Sequence, residues 1–159
     1  MSRNSKGGTK RRQTLQVWSQ PQARAALPYI TSVMQSLREY ALDAQVHHHR
    51  ARKLENRPGR PGRDTLLGLE EAKREARRAE ERFQEALHEI QSLDVYCLDP
   101  IAGLALIPFV HDKQLAWFVF DLFDSKPLRF WRYHSDPMEK RRPLAELHNV
   151  PADEGTWLA

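Results

Sequence analysis

Leu115-Ala116-Trp117-Phe118-Val119-Phe120-Asp121-Leu122-Phe123 is the stretch that decides the fold. Its nine residues are apolar on both alternating faces, rich in aromatic and β-branched side chains, and broken by one carboxylate. A run so short and so apolar on both faces reads as a central strand covered on both sides. The rest of the chain then has to supply the covers.

Outward from this strand the period stays at two. On the C-terminal side, Asp124-Ser125-Lys126-Pro127 is a turn, and Leu128 to His134 alternates as a further strand. A polar segment, Ser135 to Arg142, follows, and Pro143 to Leu147 has the character of a final helical turn. On the N-terminal side, His111-Asp112-Lys113-Gln114 is a hairpin turn. Leu104 to Val110 is a strand whose Pro108 places it at a sheet edge or a bulge. Asp99-Pro100-Ile101-Ala102-Gly103 is a turn, and Val95 to Leu98 a short strand.

Before Val95 the period changes. Ile30, Val33, Leu37, Tyr40, Ala44, His47, Ala51 and Leu54 are spaced alternately by three and four, which is a coiled-coil seam. Leu69, Ala72, Ala76, Ala79, Phe83, Ala86, Ile90 and Leu93 repeat that spacing. The two seams are separated by Asn56-Arg57-Pro58-Gly59-Arg60-Pro61-Gly62-Arg63, where prolines and glycines forbid helix. Equal seams joined by a tight loop predict an antiparallel helical hairpin about 40 Å long. Leu27-Pro28 opens its first helix, Asp64 is placed to cap the second, and Ser19 before Pro21 caps a short preceding helix. The predicted fold class is α+β, a long coiled-coil-like hairpin packed with an antiparallel β-meander of three to four strands.

The 159 residues accommodate one such domain with tails. The expected division is a disordered basic tail over 1–18, an α+β domain over 19–147 (hairpin 28–93, meander 95–134), and a loose end over 148–159. No apolar run approaches the ~18 residues that cross a bilayer, and residues 1–15 lack the apolar core of a secretory signal. The one cysteine, Cys97, excludes an intramolecular disulfide. A cytoplasmic location is expected, with no membrane association.

The net charge of +4 is unevenly distributed. Residues 1–24 carry six basic side chains and no acid, and residues 50–63 carry six against Glu55 alone. The remainder holds 13 basic and 20 acidic residues, a net of −7. The body is acidic, and the basicity sits in a tail and one connection.

Leu27-Pro28, Val95 with Asp99, Gly103-Leu104 with Pro108, then Trp131 and Arg142-Pro143-Leu144 form a series of short motifs. Over roughly residues 20–145 this series resembles the bacterial domain-of-unknown-function family DUF2203. The resemblance implies the helix-then-meander order and supplies no activity. Phe118 to Lys126 stands where that family has a Cys-Trp-Arg…Gly-Glu hairpin, and Pro137-Met138 stands in place of a Gly-Phe pair.

Asp121 is the side chain most suggestive of chemistry, because a carboxylate in a two-sided apolar strand must be paired, hydrogen-bonded or protonated. Arg129, Arg132, Arg141 and Arg142 are its candidate partners. A polar cluster of Asp121, Arg132, His134, Asp136 and Arg142 would bind a small anion or perform acid–base work; a structural ion pair, or an exposed strand end, is the plainer reading. His47-His48-His49 splays over about 200° of a helix, so no metal site is expected, and no cofactor. Cys97 lies among apolar neighbours and reads as inert. Arg57, Arg60 and Arg63 surround a Gly-Arg-Pro core like that of an AT-hook, with Pro58 where the hook has arginine.

Three function classes follow. The favoured one is a non-enzymatic protein-interaction module that uses the hairpin to pair with itself or another protein, with Tyr29, Met34 and Leu42 as an exposed stripe beside the seam. The alternatives are a small-ligand-binding protein or enzyme using the polar cluster, and a nucleic-acid-associated protein acting through its basic segments.

Overall fold

The computed structural model describes residues 14–147 and the backbone of 156–158. The chain order is β1 (Thr14–Gln16), α1 (Gln20–Ala25), α2 (Leu27–Glu55), α3 (Arg63–Gln91), β2 (Tyr96–Asp99), β3 (Leu104–His111), β4 (Gln114–Asp121), β5 (Leu128–Tyr133), β6 (Arg142–Pro143), a 3-10 turn (Leu144–Glu146) and β7 (Thr156–Leu158).

The expected α+β architecture is present. α2 and α3, 29 residues each, form the hairpin, and each seam residue of both helices is buried or half-buried. At ~1.5 Å per residue each helix is roughly 43 Å long. Ser19 forms a capping box with Gln22 at the start of α1, and Pro28 stands in the first turn of α2. α3 departs in its start: Gly62 is the N-cap, and Asp64 lies inside the first turn. There its charge favours the positive helix end without a capping hydrogen bond.

The meander is an antiparallel sheet of order β2-β3-β4-β5-β6, so β4 is central, as its two-faced apolarity requires. There are five strands where three to four were expected; the addition is the two-residue β6, which pairs Phe130 with Pro143 and Trp131 with Arg142. The β3–β4 hairpin turns on Asp112 and Lys113, both at positive φ, the conformation that two-residue hairpin loops need. Pro108 lies in β3, inside the sheet by strand order, but β2 pairs only with Leu104 to Leu106. The side of Pro108 facing away from β4 is therefore open, and its carbonyl accepts Trp18 N–H at 2.8 Å.

The two faces of β4 serve different cores. Ala116, Phe118 and Phe120, with Ala105, Ile107, Phe109, Leu128 and Trp131, pack on Ile30, Val33, Met34 and Leu37 of α2 and Ala86 and Ile90 of α3. Phe109 and Phe118 stack with centroids 4.0 Å apart. On the reverse face Trp117, Val119 and Leu106 form a smaller cluster with Leu15, Leu98, Leu115 and Phe130.

Leu15 reaches that face from β1. Thr14–Gln16 pairs antiparallel with Thr156–Leu158, Val17 is buried, and the Trp18 indole N–H donates to the Leu93 carbonyl at 3.1 Å. The expectations for 1–13, 148–155 and 159 fall outside the described residues.

Candidate functional site

The polar cluster expected from the sequence is partly assembled. Arg132 and Arg142 stand on adjacent strands, and the turn after β5 brings Asp136 between them. Both Asp136 carboxylate oxygens accept from Arg142, Nε at 2.8 Å and Nη2 at 2.9 Å. The same carboxylate accepts the Tyr133 backbone N–H at 2.9 Å. Arg132, 5% exposed, donates instead to the Asp136 carbonyl at 3.0 Å and to Met138 Sδ at 3.2 Å. His134 is exposed at the cluster margin and accepts the Trp117 indole N–H at Nδ1, 3.1 Å away.

Asp121 is not part of this group. It closes β4 at the other end of the strand, paired in register with Leu104, while Arg132 is paired with Trp117. Its Oδ1 accepts Phe123 N–H at 3.0 Å, a local turn bond. The nearest arginine on the next strand, Arg129, pairs with Asp124 at 2.9 Å. The placing of Asp121 in the polar cluster is thus corrected, and the plainer reading of a strand end describes it better. The strand ends on it, the side chain is half-buried, and a backbone amide satisfies it.

The electrostatics describe a clamp. Hydrogen bonding to Arg142 holds the Asp136 carboxyl down to about 2, with the Tyr133 amide acting in the same direction. The Arg142 guanidinium is raised by the same bond. Arg142 also lies over the Tyr133 and Trp131 rings, at 5.0 and 5.5 Å, and His111 meets Trp131 edge to face at 5.3 Å. A carboxylate so acidic and fully engaged is a poor proton acceptor near neutral pH. It fixes the turn between β5 and β6.

The stripe beside the hairpin seam is also corrected. Met34 is fully buried (0% exposed), because the sheet packs on α2 alongside α3 and widens its buried face. Tyr29 is exposed and hydrogen-bonds Glu89 of α3, which raises its phenol pKa; Leu42 is half-buried. The three make no continuous apolar surface.

His47 lies in the seam with Nδ1 buried and unpartnered, His48 contacts Glu80, and His49 is exposed. Among the described residues no three metal-ligating side chains converge. The Cys97 thiol is pushed up to about 11, mainly by burial and then by the charge of Asp99, which suppresses the thiolate at neutral pH.

What the sequence reading did not anticipate is the open flank of the hairpin. The sheet-bound core takes α2 side chains up to Tyr40 and α3 side chains from Phe83 onward. Beyond them the paired helices project for about 15 residues, roughly 22 Å. The buried seam side chains there are Ala51, Ala72, Ala76 and Ala79, with Leu54 and Leu69 half-buried. Small side chains leave a groove of ≈ 770 Å³ walled by Gln45, His48, Arg52 and Glu55 on α2 and Glu70, Lys73 and Arg77 on α3, with Ala51 as its floor. The alanines were visible as seam residues; their consequence for the flank was not.

A family model described as Uncharacterized conserved protein (DUF2203) matches residues 16–144. The chain belongs to that family. The DUF2203 match runs from the end of β1 through both helices and the five-stranded sheet to Leu144, and its description carries no activity. No curated protein and no solved structure matches the chain. Among the described residues no helix is long and apolar enough to cross a membrane.

Proposed function

We propose that this DUF2203 protein is a non-enzymatic protein-interaction module, with the sheet and proximal helices as its base and the projecting hairpin as its contact surface. The observation that carries this reading is the groove along the distal hairpin, beside a seam of alanines and clear of the sheet-bound core. A groove between two antiparallel helices fits a third helix, read by the aliphatic stems of Arg52, Lys73 and Arg77 and by mixed charge along its walls. The hairpin of a second copy is such a helix source. The polar cluster argues less well for catalysis, since its carboxylate is already saturated by Arg142 and Tyr133.

The test uses Gln45 and Arg77, which are exposed in the groove walls and make no ion pair among the described residues. Light scattering of the full chain at about 10–100 μM is expected to give a multiple of the single-chain mass. The Gln45→Glu, Arg77→Glu double variant is expected to return it to one chain with unchanged helical circular dichroism. A photo-crosslinking residue at position 45 covers a different protein partner. Single-chain mass together with no crosslink at position 45 sinks the reading.

A further inference from the structure

The outer end of the hairpin carries a second feature. Arg52, Lys53, Arg57, Arg60 and Arg63 are all exposed, and none of them forms an ion pair among the described residues. Of the carboxylates close by, Glu55 pairs with Lys73 at 2.9 Å, and Asp64, exposed in the first turn of α3, offsets one of the five positive charges. α3 begins at this tip with Gly62 as N-cap and no side-chain capping bond, so the positive end of a 29-residue helix adds to the same field. Pro58 and Pro61 restrict the loop backbone, which lowers the ordering cost of binding.

We propose that this tip binds the phosphate backbone of nucleic acid, independently of base sequence. Four of the five cations are arginines, whose planar fork matches phosphate oxygens better than a lysine ammonium does. The arm carries carboxylates of its own, but those nearest the tip, Glu70, Glu71 and Glu75, pair with Arg74, Arg50 and Arg78, and the sheet base lies about 22 Å away, well beyond the ~8 Å screening length of physiological salt. The tip field is therefore not cancelled by the body. The loop from Asn56 to Gly62 has no large apolar side chain, and the exposed Leu66 and Leu67 stand just beyond it in the first turns of α3, so the loop itself offers phosphate contacts. This inference rests on the reading of the arm as the contact surface and names the ligand at its end.

The probes are a fluorescein-labelled 20-base-pair DNA duplex and a 20-nucleotide RNA of mixed sequence, titrated with the full chain by anisotropy from 25 to 200 mM KCl. Binding is expected to weaken steeply with salt. The Arg57→Gln, Arg60→Gln, Arg63→Gln variant is expected to lower the slope of log K against log[salt] by about 2–3 on duplex DNA, and to weaken binding at 50 mM at least tenfold. A Lys113→Gln, Lys126→Gln control, with exposed cations removed from the body, is expected to bind as wild type. An unchanged slope in the tip variant overturns the proposal and moves the contact to another basic segment. Failure to bind either probe at 25 mM overturns it too, as does preferential sedimentation with phosphatidylserine vesicles. Circular dichroism and the light-scattering mass of the tip variant separate the two readings: a tip variant that associates normally but releases nucleic acid supports both. Normal association with no effect on nucleic acid binding removes the second alone.

Discussion

Replacing Asp136 with Asn tests whether the polar cluster is a structural clamp. The substitution keeps the shape, so Tyr133 N–H still has an acceptor, but it removes the charge that takes two hydrogen bonds from Arg142. A carboxyl lowered from 3.8 to about 2, at about 1.4 kcal/mol per pH unit, sets a ceiling of roughly 2.5 kcal/mol on what ionisation adds to stability. Water reaches the pair, since the Asp136 and Arg142 side chains are 12% and 34% exposed, and screening reduces the expected loss to about 1 kcal/mol. Because the folded pKa lies below the unfolded one, the contribution is complete above about pH 4 and disappears as pH falls through 2. Urea unfolding of both proteins at pH 7, 4, 3 and 2 is the assay. The gap in unfolding free energy is expected to be about 1 kcal/mol at pH 7 and to close between pH 4 and pH 2. A gap that stays constant down to pH 2 would refute the ionic origin of the clamp, and the absence of any gap at pH 7 would refute the clamp itself.

Two further substitutions probe the frame. Gly103→Ala is expected to lose about 2–4 kcal/mol, because Gly103 has φ +72° and an added Cβ would stand 2.6 Å from Leu122 Cβ; thermal unfolding is expected to fall by roughly 5–15 °C, and an unchanged midpoint would contradict this packing of the β2–β3 turn. His47→Leu is expected to stabilise the hairpin by about 1–2 kcal/mol by removing a buried, unpartnered Nδ1 and adding apolar contact to the seam; a lower urea midpoint in the variant would show that the ring is satisfied in solution.

Periodicity made the large elements legible. The alternation of three and four holds in both helices without interruption because each seam position faces the partner helix, and all are covered in the fold. β4 was legible for a similar reason: covered on both faces, it has no polar alternation. The misreadings arise where one pattern meets another element. Asp121 reads equally as an in-strand residue or a strand end because apolar residues continue past it as Leu122 and Phe123, although the pairing with β5 has already shifted at Val119 and Phe120. Met34 was placed on a surface because a seam position has one partner, whereas α2 near its start has two. The Asp136–Arg142 pair was named among the candidates, but the choice of Asp136 over Asp121 as the arginine partner depends on a turn that only the register of β5 and β6 fixes.

The hairpin divides into halves held by different forces, and that division underlies the functional reading. The proximal half buries Ile30, Val33, Met34, Leu37 and Ile90 against the sheet, side chains worth roughly 1.5–3 kcal/mol each when fully buried. The distal half buries alanines, at under about 1 kcal/mol for each methyl group, so packing alone does not explain its helices. Its sequence does. Ala, Glu, Arg, Lys and Leu, all good helix formers, dominate α3 after Gly68. Interhelical contacts such as Lys73 with Glu55 and Arg50 with Glu71 lie on the flanks. Local propensity in α3 therefore supplements a thin seam of alanines closed near the tip by the half-buried Leu54 and Leu69, which leaves the flank between them unfilled. An arm built to complete the body's own core would carry large apolar residues along that flank. This one carries a groove and an uncompensated charge, the two features through which a projecting helical pair meets another molecule.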